Sequence, residues 1–90
     1  MTKEEIKQKL KLDCIDDFKE GRARVIKDGK YGHVDRDGNI TTPLIYDFAS
    51  YFQEGRAEVE IGEYKFYIDK DGKPITKQGK LKLFKGIFND

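Results

Sequence analysis

The sequence predicts a mainly β protein: antiparallel β-hairpin, meander-like repeats in two units, with a short N-terminal α-helix. Three observations predict it. The stretch FKEGRARV at 18–25 returns as FQEGRAEV at 52–59, and DGKYGHVDRDG at 28–38 returns in altered form as GEYKFYIDKDG at 62–72, both shifted by 34 residues. Nine of the 21 positions from Phe18 to Gly38 are identical at that offset, where ordinary residue frequencies give about one or two. Apolar residues also alternate with polar ones on either side of a glycine-bearing dipeptide, the pattern of a half-buried hairpin. A fixed period of this length marks stacked supersecondary units.

The predicted organisation of the 90 residues is one domain: a helical cap at 1–12, a first repeat at 13–46, a second at 47–78 and a capping strand at 79–90. Leu10 and Asp13 already match Leu44 and Asp47, so the chain begins within the tail of a unit. Thr2 followed by Glu5 is a capping box, and Ile6 and Leu10 share one helical face, which predicts a helix from Thr2 to Leu12.

The second unit sets the register. With Gly62-Glu63 as a two-residue loop, Ile61 faces Tyr64, Val59 faces Phe66 and Ala57 faces Ile68, all on one side of the sheet. The other side pairs Glu60 with Lys65, Glu58 with Tyr67 and Arg56 with Asp69. A slip by one residue mixes the faces and loses both charge pairs. In the first unit Asp28-Gly29 is the turn, so Ala23 faces Val34, Val25 faces Gly32, Arg22 meets Asp35, Arg24 meets His33 and Ile26 meets Tyr31.

Asp37-Gly38 and Asp71-Gly72 start a further turn and a third strand, near 39–44 and 73–77, with Ile75 opposite Ile68. Pro43 and Pro74 cannot donate ladder bonds, so these third strands are expected at sheet edges or the prolines at strand ends. The connector from Tyr46 to Phe52 carries four aromatic residues and is expected to pack as a loop between units. The tail KLKLFKGIF alternates Lys with apolar residues, a half-buried strand with Leu81 and Leu83 inward. Two units are few for a stack, so the helix and tail are expected to cap its ends. A second copy of the chain, pairing as a homodimer through a third-strand edge, is the alternative.

FKEGRARV, DGKYGHVDRDG and PLIYDFASYFQEG, in that order, resemble the bacterial WG-repeat family over roughly 10–75. The family's Trp is replaced by Tyr31 in the first unit, and its Trp-Gly by Lys65-Phe66 in the second. The resemblance implies β-hairpin repeats used as a scaffold or interaction surface, with no established catalytic activity; no cofactor is expected.

Net charge is +1 although 39% of the residues are charged, which argues against a dedicated nucleic-acid binder. Five lysines without an acid from Lys73 to Lys85 leave weak nucleic-acid binding through the tail as a minor expectation. Cys14 is the single cysteine, expected to be a small buried residue. The N-terminus lacks the apolar core of a secretion signal, and no segment is apolar enough to span a membrane, so a cytoplasmic protein is expected. DRDGN and DKDGK resemble calcium loops, but position 12 falls on Tyr46 and Lys80 where an EF-hand needs Glu, so no metal is expected. His33 lacks an adjacent nucleophile or base and reads as a surface filler. Neither Cys14 nor Ser50 lies in a nucleophile motif.

These readings predict a non-enzymatic module that binds another protein, of adaptor or inhibitor type. Its contact residues are expected on the outer face of the hairpins: Arg22, Arg24, Tyr31, His33, Arg56 and Tyr67. Arg and Tyr make favourable interface anchors. A glycan- or cell-wall-binding module is the alternative.

Overall fold

The computed structural model describes residues 1–75. The expected capping strand at 79–90, the inward Leu81 and Leu83, and the lysine tail beyond residue 75 lie outside the described residues.

Helix α1 (Lys3–Leu10) opens with the capping box. The Thr2 hydroxyl accepts from the Glu5 amide at 3.1 Å, and the Glu5 carboxylate accepts from the Thr2 amide at 2.8 Å. Lys11, with φ 55°, ends the helix, which buries Ile6. Two four-stranded antiparallel meanders follow. The first comprises β1 (Cys14–Lys19), β2 (Arg22–Lys27), β3 (Lys30–Val34) and β4 (Ile40–Tyr46). The second comprises β5 (Phe48–Ala49), β6 (Ala57–Ile61), β7 (Tyr64–Ile68) and β8 (Pro74–Ile75).

The central hairpins have the expected register, residue for residue: Ala57 opposite Ile68, Val59 opposite Phe66 and Ile61 opposite Tyr64, with Ala23 opposite Val34 and Val25 opposite Gly32. Pro43 and Pro74 stand in the edge strands β4 and β8.

Several local expectations give way. The sequence reading missed the strand before each hairpin. Glu20-Gly21 (φ 54° and 81°) and Glu54-Gly55 (φ 56° and 81°) are two-residue turns with both residues left-handed, as a type I′ turn requires. They join β1 to β2 and bridge Gln53 to Arg56. The connector is therefore no loop: Tyr46 closes β4 and Phe48–Ala49 is β5, although Tyr46, Ala49 and Phe52 do enter the second core. Ile75 pairs with Tyr67, and Pro74 pairs with Ile68. The turn closes by Gly72 N–H to Asp69 O and Asp69 N–H to Lys73 O, which brings the chain back one residue sooner.

The expected charge pairs also resolve differently. Oδ1 of Asp35 is taken by the amides of Asp37 and Asn39, and Oδ1 of Asp69 by those of Asp71 and Lys73. Each aspartate thus organises its own turn. Arg22 donates instead to Lys70 O at 3.1 Å, and the Arg56 guanidinium lies over the Tyr67 ring at 4.7 Å. Lys65 stands opposite Glu60 but pairs diagonally with Glu58 at 3.4 Å. Cys14, expected to be buried, is exposed, because its neighbours Ile15 and Phe18 turn toward the core instead.

Each meander has its own core. The first gathers Ile6, Leu12, Ala23, Val25 and Val34. The second gathers Tyr46, Ala49, Phe52, Ala57, Val59, Phe66 and Ile68. Tyr46, the last residue of β4, thus fills the core of the unit after its own. Leu12 stands 34 positions earlier and does the same for the first unit from just beyond α1. Gly38 and Gly72 carry the equivalence further. A Cβ on Gly38 would meet Met1 Sδ at 3.1 Å and Ile6 at 3.5 Å, whereas one on Gly72 would meet Thr41 O of β4 at 2.5 Å. Helix α1 therefore occupies, against the first unit, the seat that the first unit's β4 occupies against the second.

Candidate functional site

The period of 34 lets one sheet face be seen twice. Arg22, Arg24, Tyr31 and His33 in the first unit correspond to Arg56, Glu58, Lys65 and Tyr67 in the second. The two copies meet different surroundings.

In the first unit the face is covered by the strand that begins the second. Arg24 donates through Nη1 to Ala49 O at 3.1 Å and through Nε to Asp16 Oδ2 at 2.6 Å, with its guanidinium 5.6 Å from the centre of the Tyr31 ring. Tyr31 packs against Phe48 at 5.6 Å, and His33 against Phe52 at 4.6 Å. The Glu20 carboxylate accepts from the amides of Glu54 at 2.7 Å and Gly55 at 2.8 Å, so one unit's turn grips the next unit's turn. The carboxyl of Glu20 is held below the usual range first by the Gly55 amide, against a desolvation cost, then by the Glu54 amide and the Lys70 charge.

His33, expected on the surface, is completely buried. The second unit covers it. The Ser50 carbonyl can only accept, so Nε2 carries the proton and donates at 2.8 Å. Nδ1 is buried and makes no hydrogen bond among the described residues. Burial drives the His33 pKa down to about 4; the Ser50 bond opposes this, and the charges of Arg24 and Arg22 add to it. His33 is thus a neutral junction residue. Burial likewise pushes the Tyr46 phenol up to about 12.

Of the six predicted contact residues, four (Arg22, Arg24, Tyr31 and His33) lie at the junction between units. Arg56 and Tyr67 stand apart from them on the second unit, exposed among the described residues. They line a concavity of about 420 Å³ with Ser50, Tyr51, Gln53, Glu54 and Glu58. Tyr51 and Tyr67 are 48% and 44% exposed, much for aromatic residues. Sequence reasoning missed Tyr51 and Glu54 here. The repeat itself held the signal, since a position covered by the following unit in the first copy has no such cover in the second among the described residues.

Among the described residues no group of three or more His, Cys, Asp or Glu side chains is placed to hold a metal, and no helix is long and apolar enough to cross a membrane.

A family model, described as a WG containing repeat, matches residues 3–31 and again 31–64. Searches of curated proteins and of solved structures returned no match.

Proposed function

The chain belongs to the WG-repeat family, and from that premise we propose that it is a non-enzymatic interaction module whose docking face is the second-unit copy of the sheet face, centred on Arg56, Tyr67 and Tyr51. One observation carries this reading. The same face in the first unit is a protein–protein contact surface, used within the chain to hold the second unit. Its second copy keeps the arginine at position 56 and an aromatic ring at position 67, now exposed. Tyr and Arg are the side chains that most often anchor an interface, because they bring large area with fixed polar ends. The reading takes the protein as cytoplasmic, where the exposed thiol of Cys14 stays reduced.

The test is affinity capture from the native cells, with the wild-type chain beside Arg56→Ala/Tyr67→Ala. The expected result is a partner, identified by mass spectrometry, that the double variant loses while its fold, read by circular dichroism, is kept. A partner captured equally by both forms would move the site elsewhere. A glycan is the second reading, favoured by the two tyrosine rings lining one cleft. A glycan array probed with both forms separates it from the first.

A further inference from the structure

The second unit's face carries apolar side chains side by side. Tyr67 stands opposite Ile75, so both point to one side of the sheet, 44% and 38% exposed among the described residues. Tyr51 joins Tyr67 in the concavity. Apolar residues gathered in this way mark a surface that something covers. The first unit shows the kind of cover. There Phe48 and Phe52, four residues apart, lay their rings on Tyr31 and His33. Ala49, directly after the first ring, turns its side chain into the second core and meets Arg24 through its carbonyl.

The chain holds a second such pair of rings. Phe84 and Phe88 are again four apart, with Gly86 where Ser50 stands between Phe48 and Phe52. Phe84 follows Gly72 by 12 residues and Phe48 follows Gly38 by 10, so the link is two residues longer. The link also starts in the right place, because Ile75 is paired with Tyr67. From Ile75 to Phe84 the chain can reach up to about 30 Å, against about 14 Å across four strands. A short tether keeps its end at an effective concentration on the order of millimolar. A contact too weak to join two molecules therefore holds within one.

Three replacements suit a cover that carries no further core behind it. Lys85 stands at the place of Ala49, where a side chain points away from the covered face. Lys65 stands at the place of Tyr31, and its aliphatic stem gives Phe84 an apolar rest while its ammonium stays with Glu58. Tyr67 stands at the place of His33 and offers Phe88 a ring.

We propose that residues 84–88 of the chain itself occupy this face, Phe88 against Tyr67 and Phe84 against the Lys65 stem, as Phe52 and Phe48 occupy the first. Resting on the docking face named above, it follows that a partner must displace the segment. The cover is self-inhibitory, and its looseness keeps it displaceable.

The test uses the full chain and aromatic-ring NMR. Nuclear Overhauser contacts between the Phe88 and Tyr67 rings are expected, and mixing labelled with unlabelled chain assigns them to one molecule. A synthetic peptide of residues 81–90 is then added to the wild type and to Phe84→Ala/Phe88→Ala, with circular dichroism to check that the variant is folded. The peptide is expected to shift the amides of Arg56 and Tyr67 in the variant, and to bind the wild type about tenfold more weakly, the loss for a face open about a tenth of the time.

An absence of ring contacts in the wild type overturns the proposal. So do contacts that arise only between copies, which assign the face to a dimer, and equal peptide binding by both forms. Should affinity capture yield a partner lost with Arg56→Ala/Tyr67→Ala while the ring contacts are absent, the docking face stands and the cover falls. Ring contacts within one molecule, with no partner that depends on Arg56 and Tyr67, support the cover and remove the docking face.

Discussion

The carboxylate of Glu20 and the backbone amide of Gly55 stand 2.8 Å apart across the junction between the two units, each within a turn of the same Glu-Gly sequence. The bond uses a repeated dipeptide in two ways, its side chain in one copy and its backbone in the next. Glu20→Gln retains one neutral acceptor for two amides. Hydrogen exchange at Glu54 and Gly55 is then expected to speed up severalfold at neutral pH, with the Gly21 amide unchanged, as measured by NMR.

Stability should fall with acid above the usual carboxylate range, because of His33. Its folded pKa of about 4 lies below the ordinary 6.5, so the unfolded chain takes up the proton first. The contribution of neutral His33 is whole above pH 6.5 and is lost as pH falls toward 4, up to about 3 kcal/mol. Urea titrations at pH 7, 6 and 5 are expected to show a declining free energy that His33→Gln flattens.

Phe52 is 1% exposed, belongs to the second core and faces His33 across the junction. Phe52→Ala removes a buried ring from a small core and is expected to cost about 3–5 kcal/mol. Thermal denaturation by circular dichroism checks it.

Gly32 is close to backbone on its partner strand. A Cβ there would stand 2.5 Å from Thr42 O and 3.0 Å from Pro43 O, neither of which can swing aside as a side chain would. Gly32→Ala is expected to cost about 1–3 kcal/mol through overpacking alone. Gly55→Ala meets no neighbouring atom, so its cost comes only from the φ of 81°. Comparing their urea midpoints separates steric from conformational strain.

Arginines on the covered and on the exposed copy of the face should respond differently. Arg24→Ala breaks the bonds to Asp16 and Ala49 at the junction and is expected to cost about 1–3 kcal/mol. Arg56→Ala, on the exposed copy, is expected to stay within about 0.5 kcal/mol. Urea denaturation of both variants gives the comparison. Loss of the partner with stability kept would be expected only for Arg56.

The hairpin registers were legible because side-chain alternation and the Asp28-Gly29 turn leave one pairing that keeps each face uniform. The helix was legible from Thr2 and Glu5. The strand ahead of each hairpin was not. Glu20 and Glu54 carry no local mark of a left-handed backbone, and the aromatic run after Tyr46 hides alternation because its buried residues serve two units at once. Burial of His33 was equally hidden. Its sheet face was read correctly, but which faces a following unit covers depends on how units stack, and nothing within a single hairpin encodes that. The same gap made six contact residues look alike when four of them are internal joints.

A head-to-tail contact that leaves its own complement open at the far end propagates, and identical copies joined that way grow into a fibre. Here Ile6 and Leu12 plug the receiving end of the first unit. The seat that another copy's β4 would take on the first unit is therefore already filled by the chain's own N-terminal segment, which removes that head-to-tail route to a fibre.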